Sequence, residues 1–232
     1  REDYIQHSAF VADGRQGLID ALPTMAALKI ELHRTLVDGD LVALHQTYEF
    51  PDGQRMVAFD VFRTQDGQLA EHWDALQAEV PANQTVSGRS MVDGATAVTD
   101  LDKTEANRAL VTEFVDQVLG KGQFDRITDY VSTAQYDQHN PLVADGIEGL
   151  IGFAEGLAQQ GLTFYFTATP IVVAQGNFVL TGSEGALGPV DNPGYAVIYD
   201  LFRVEDGKIV EHWDVVPESP DPAALPHGNG FF

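Results

Sequence analysis

Two motifs occur twice in the same order, and that repetition constrains the fold of this chain more than any other feature. Tyr4-Ile5-Gln6-His7 leads into Val11-Ala12-Asp13-Gly14 and Gly17-Leu18-Ile19, and Tyr136-Asp137-Gln138-His139 leads into Val143-Ala144-Asp145-Gly146 and Gly149-Leu150-Ile151. A second block, Phe59-Asp60-Val61-Phe62-Arg63, Asp66-Gly67 and Glu71-His72-Trp73-Asp74, returns as Tyr199-Asp200-Leu201-Phe202-Arg203, Asp206-Gly207 and Glu211-His212-Trp213-Asp214. Two ordered blocks, each repeated, mean two copies of one small fold. The blocks lie further apart in copy two, and the additional residues are expected around 182–194 as a longer hairpin loop rich in Gly and Pro.

Copy two carries the complete pattern. Asp102-x-x-Glu105 has the form of a capping box, and Leu110, Val111, Phe114, Val115, Val118 and Leu119 follow at helical spacing until Gly120 and Gly122. A short helix over 124–131 and a third over 147–160 are expected next. Strands follow at 163–168, 171–174, 178–183, 195–204 and 208–216, with Asp206-Gly207 marking a tight hairpin. Helices first and then an antiparallel meander predict an α+β fold with helices packed on one side of the sheet. The boundaries read as a first domain over 1–80, a linker over 81–101, a second domain over 102–217 and a tail over 218–232. Linker and tail either pack across a neighbouring domain or fray. Copy one opens at its Tyr-x-Gln-His segment with no counterpart of the long helix, so residues ahead of Arg1 are missing or another segment substitutes.

Charge narrows the partners. Lys and Arg total 13 against 35 Asp and Glu, a formal net charge of −22. Such a surface repels phosphates and anionic lipid, which argues against nucleic acid and membrane surfaces as partners. A hydrophobic fraction of 44% is ordinary for a globular protein. With no cysteine there is neither a disulfide nor a thiolate nucleophile. Composition does not separate a cytoplasmic location from a secreted or periplasmic one.

Chemistry concentrates on the last strand of each copy. His72 and Asp74 are two residues apart, as are His212 and Asp214, so each pair projects to one face while Glu71 and Trp73 take the other. Whether Asp60, and by repetition Asp200, joins them depends on the hairpin register. A two-residue turn at Asp66-Gly67 pairs Phe59 with Asp74 and sets Asp60 beside Trp73. A three-residue turn with a Gly bulge pairs Asp60 with His72 and clusters all three. The bulged register is preferred, because it leaves Arg63 and Glu71 on the opposite, helix-facing or rim side. A carboxylate raised in pKa by an apolar pocket can remove a proton next to a carbonyl while an imidazole polarises the enolate; equally, the His-x-Asp pair can simply be a buried hydrogen-bond network.

The run Tyr-x-Gln-His-Asn-Pro at Tyr136, Asp-Gly-x-Glu-Gly-Leu at Asp145, and the stretch from Asp200 to Asp214 together resemble the SnoaL-like polyketide cyclase family of the nuclear transport factor 2-like superfamily. The resemblance spans copy two and most of copy one. It implies tandem cone-shaped α+β barrels, each a curved, mostly antiparallel sheet with helices on one side and a pocket within. It also implies pairing through sheets, as an intramolecular pseudo-dimer of the two copies or a homo-oligomer. The activity it implies is intramolecular aldol condensation or a related isomerisation of a small, largely apolar carbonyl compound, with no metal and no organic cofactor. Asp214 and Asp74 are then the candidate bases, with His212 and His72 as partners. His139, His7, Asp200, Asp60 and His45 are candidates for substrate contact, His45 giving copy one an imidazole where copy two has Gly182. Copy two, with the fuller motif, is expected to be the working site. The alternative is a non-catalytic ligand-binding or dimerisation module of the same fold.

Overall fold

The computed structural model describes residues 1–218 and 221–232; Ser219 and Pro220, part of the expected tail, lie outside the described residues. The chain forms two compact units, Arg1–Glu79 with Val215–Phe232, and Val80–Asp214. The segment expected as linker therefore belongs to unit two, and the expected tail belongs to unit one.

Unit one runs β1 (Ile5–Gln6), α1 (Gly14–Met25), β2 (Lys29–Asp38), β3 (Leu41–Glu49), β4 (Arg55–Gln65) and β5 (Gln68–Ala78). Its sheet has the order β1-β5-β4-β3-β2, antiparallel except that β1 runs parallel to β5. Unit two repeats this with β6 (Asp137–Gln138), α4 (Ile147–Gln159), β7 (Leu162–Gln175), β8 (Phe178–Pro189), β9 (Gly194–Glu205) and β10 (Lys208–Val215), in the order β6-β10-β9-β8-β7. Ahead of β6 it carries α2 (Thr104–Phe114), continued by a wider π turn over Val115–Gly120, and the short α3 (Ile127–Tyr130). The α+β class and the duplication follow the sequence. Neither sheet closes into a barrel, because β1 and β2 remain edges in one and β6 and β7 in the other.

The repeated motifs have local causes. Asp13 accepts the Gln6 amide at 3.0 Å and Asp145 accepts the Gln138 amide at 2.9 Å, so each Asp ties its edge strand to the start of the following helix. Gly17 and Gly149 are demanded by close approach: a Cβ on either would lie 2.0 Å from the carbonyl oxygen of Ala12 or Ala144.

Two expectations about strands need correction. The additional residues of copy two do not form a longer loop; β7 and β8 are simply longer than β2 and β3, and only 190–193 separate β8 from β9. The separate strands at 163–168 and 171–174 are one strand, β7, with irregularities on both sides of Ala168. Pro170, which has no amide to donate, sits in the second of them.

The β4–β5 hairpin corrects the register while preserving its consequence. Asp66 (φ 53°) and Gly67 (φ 73°) both adopt left-handed backbone, the two-residue turn that matches strand twist. Gln65 then faces Gln68, and Thr64 faces Leu69. A bulge at Ala70 follows, so Arg63 faces Glu71, Phe62 faces His72 and Asp60 faces Asp74. Asp60 is thus opposite Asp74 rather than His72, and the extra residue lies beyond the turn. Asp60, His72 and Asp74 still share one face. Arg63 and Glu71 share the other, the face away from α1, and are joined by an ion pair at 2.6 Å.

Candidate active site

In unit one the shared face of β4 and β5 lines a cavity of about 670 Å³ roofed by α1. Leu18, Met25, Leu28, Phe50, Met56 and Leu76 give it an apolar body, and Gln6, Tyr48, Asp60, His72 and Asp74 gather as its polar lining. Lysine and arginine are absent from the described lining.

The polar group is a chain of hydrogen bonds. Gln6 Oε1 accepts from the amides of His7 (3.0 Å) and Ser8 (2.9 Å), which fixes it as the oxygen, and it lies 2.9 Å from His72 Nδ1. That nitrogen must therefore carry hydrogen. His72 Nε2 lies 3.0 Å from Asp60 Oδ1, while Asp60 Oδ2 accepts from Gln46 Nε2 at 2.7 Å and from the Tyr48 hydroxyl at 2.9 Å. A carboxylate on one side and an amide oxygen on the other both ask the ring for N–H, so the arrangement favours imidazolium. Burial pulls the His72 pKa down, but the hydrogen bond to Asp60 and the charges of Asp74 and Asp60 outweigh it, and the net shift is upward. Asp74 is pushed up to about 6, first by burial and then by the charge of Asp60, against the opposing pull of His72 and a hydrogen bond from Ser8. Asp74 thus stands half-buried at the cavity wall, beside a histidine whose protonated form its neighbours favour.

Unit two builds the same chain with a different setting. Gln138 Oε1 lies 2.8 Å from His212 Nδ1, and Asp200 Oδ1 lies 2.9 Å from Nε2. Asp214 accepts from the Asn140 amide and is also pushed up to about 6 by burial. Here all three residues are buried, Asp214 at 6% exposure. The positions of Gln46 and Tyr48 are taken by Ser183 and Gly185, as the strand registers show. Asp200 Oδ2 accordingly has no hydrogen-bond partner among the described residues, nor has Asp214 Oδ1. The helix α2 lies over this face: Phe114 packs edge-on against Phe202, ring centroids 5.7 Å apart, and Phe202 stacks on His212 at 4.8 Å. A cavity of about 410 Å³ in unit two lies elsewhere, lined by Thr128, Ser132, Tyr136 and Glu148 among others.

Each trio, Asp60-His72-Asp74 and Asp200-His212-Asp214, places one possible ligand atom per residue within 4.8 Å of the others. Both nitrogens of each histidine are already engaged by glutamine and aspartate, so a metal would have to displace those bonds.

The family model for the SnoaL-like domain matches residues 1–72 and 111–212. The chain belongs to the SnoaL-like family. Among solved structures it is similar to TsrD from Streptomyces laurentii (21% identity over 48% of this chain and 88% of that one, TM-score 0.36). It is also similar to an LEH-like epoxide hydrolase from M. tuberculosis (21%, 49% and 84%, TM-score 0.39). A third is a SnoaL-like polyketide cyclase from Agrobacterium tumefaciens (17%, 48% and 91%, TM-score 0.37). No curated protein matches the sequence.

Within the SnoaL-like motifs, the histidines expected to contact substrate point elsewhere. His7 stacks on Trp73 at 5.2 Å and lies 2.9 Å from Glu71, on the face opposite the cavity. His139 does the same with Trp213 (4.7 Å) and Glu211 (3.1 Å). Neighbouring residues of an extended strand alternate, so with Gln6 paired in register to His72 on one face, His7 must take the other. His45 is paired to Phe59 and stacks on it at 4.4 Å, again away from Asp60. The residues that sequence reasoning missed are Gln6, Gln46, Tyr48 and Gln138. Gln6 and Gln138 had a readable signal, since they occupy the same place in both copies of the Tyr-x-Gln-His motif.

Proposed function

We propose that unit one is an enzymatic pocket for a small, largely apolar carbonyl compound and that Asp74 is its base. The carboxylate takes the proton from the carbon next to the carbonyl, and the C–H electron pair becomes the enolate. The enolate carbon then bonds to a second carbonyl carbon of the same molecule and the proton returns to the new alkoxide, an aldol ring closure. Return of the proton to a different carbon instead gives an isomer. His72, with both nitrogens occupied, acts through its positive charge: it keeps Asp74 ionised and stabilises negative charge nearby without donating directly. The apolar body, the carboxylates of Asp20, Asp60 and Asp74 and the absence of lysine and arginine from the described lining favour an uncharged ligand over a phosphorylated or carboxylated one.

The observation that carries this reading is the placement of Asp74, raised in pKa and beside His72, on the wall of an apolar cavity. The test is deuterium wash-in from D2O, followed by mass spectrometry, over a panel of hydrophobic diketones. The expected result is exchange next to the carbonyl with the wild type, lost in Asp74→Asn while the ketone still binds. Tight binding without exchange in the wild type would turn the pocket into a binding module.

A further inference from the structure

Edge strand β1 contributes only two residues to the sheet of unit one, yet the segment Gln6–Ser8 touches both members of the proposed working pair. Gln6 Oε1 meets His72 Nδ1, and Ser8 lines the same cavity as Asp74 and acts to lower its pKa. Two residues of parallel pairing hold such a segment weakly. Asp13 on the Gln6 amide and Glu71 and Trp73 on the His7 ring add to this, and a further set of contacts comes from far along the chain. Asn229 Nδ2 donates to the Gln6 carbonyl at 3.0 Å, the His227 ring nitrogen lies 2.9 Å from the Ser8 carbonyl, and the His7 ring nitrogen lies 3.1 Å from the Gly230 carbonyl. Three consecutive residues are thus each tied to the tail. Phe231, 8% exposed, anchors it.

We propose that tail residues 227–230 are positioning residues for the site of unit one, holding Gln6 so that its side-chain oxygen keeps a proton on His72 Nδ1. The inference rests on the reading of His72 and Asp74 as the working pair. Its logic is electrostatic. Asp60 requires N–H on one side of the ring and Gln6 requires it on the other. While both acceptors are in place the ring stays doubly protonated, and the cation beside Asp74 is maintained. If Gln6 loosens, one requirement lapses and the neutral ring with hydrogen on Nε2 becomes acceptable. The titratable groups around His72 are Asp60 on β4, Asp74 on β5, Tyr48 on β3 and Tyr4 ahead of β1, with Asp20 on α1 lining the cavity and His227 of the tail acting on Asp74. None of them replaces an acceptor facing Nδ1.

Unit two supplies an internal control. There the segment 80–99 plays the tail's part, with the Ser90 carbonyl 2.7 Å from His139 Nδ1 and Ala95 bonded to Glu211, and residues 227–230 are not part of that unit. The experiment is a pH titration of the imidazole nitrogens by NMR in the full chain, in Asn229→Ala, in a chain lacking 227–232, and in Gln6→Leu as the full-effect reference. Expected is a fall of His72 by about one pKa unit in Gln6→Leu, a tenfold loss of proton affinity, a smaller fall in the two tail variants, and an unmoved His212. His72 unmoved in Asn229→Ala and in the shortened chain, or His212 moving in step with His72, would overturn the proposal. Should the shortened chain unfold, the single substitution decides alone. Because the readout is a titration and not turnover, a chain without activity can still pass this test, and an active one can fail it.

Discussion

The two units carry the same glutamine-histidine-aspartate chain on the same strands and differ in what lies over it. In unit two α2 crosses the sheet face, Phe114 covers Phe202, and Phe202 is wholly buried. In unit one no described helix takes that place, the equivalent Phe62 is only half-buried, and a cavity reaches His72 and Asp74. The hydrogen-bonding partners diverge accordingly. Asp60, beside the cavity, has Gln46 and Tyr48 to satisfy its outer oxygen, whereas Asp200 has Ser183 and Gly185 at those positions and an oxygen left without a partner. Asp200 is thus buried without the donors that its counterpart has, which the low dielectric of the interior makes costly. The lesson is that completeness of motif and availability of a site are separate properties: the copy with the fuller motif is the one whose trio is buried.

The largest expected break in this symmetry is catalytic. Asp74→Asn should lower kcat by about 10²–10⁴, the usual contribution of a positioned general base, while Asp214→Asn leaves it unchanged. Equal losses in both variants would place the reaction in both units or in neither. Next in size is the covering helix. Phe114→Ala removes the ring over Phe202 and should cost about 3–5 kcal/mol in urea unfolding, because a buried aromatic is truncated and a void is left. The same variant should make His212 and Asp214 accessible, visible as faster hydrogen exchange at β10. If the cost is under about 1 kcal/mol, α2 is not what seals unit two.

A subtler asymmetry concerns pH. The folded-state pKa of Asp74, about 6, lies above the unfolded value of 3.8, so between these limits the folded chain binds the extra proton. Stability from this group is therefore greatest in acid and falls as pH rises through about 6. Asp74→Asn should stabilise the protein by about 1–2 kcal/mol at pH 7, a discounted figure for a carboxylate partly open to a cavity, and should give no gain below about pH 4. A thermal-shift series across that range checks the sign, and stabilisation that grows toward acid would contradict it. The smallest effect is Tyr48→Phe, which makes the donor set of Asp60 more like that of Asp200. It should cost about 1 kcal/mol, read by chemical unfolding.

Much of this was legible in the residues. The duplication, the covering helix, the last two strands of each copy and the common face of His72 and Asp74 follow from repeated blocks and simple periodicity, whereas the place of Asp60 depended on the hairpin register. The bulge at Ala70 was not, because nothing in an alanine flanked by Leu69 and Glu71 announces an unpaired residue; the turn itself, Asp66-Gly67, drew the bulge to the wrong place. The directions of His7 and His139 were hidden because they depend on a parallel pairing between segments far apart in sequence. For His45, only the register against Phe59 reveals the side it faces.

One routing detail has a consequence for how the molecule is made. Residues 80–99, which complete unit two, leave the ribosome before any strand of β6 to β10 and are ready when those strands arrive. Residues 221–232, which brace β1, are translated only after all ten strands. Until they emerge, the Gln6–Ser8 segment lacks its hydrogen bonds to His227, Asn229 and Gly230. That interval is when a chaperone would have most to hold.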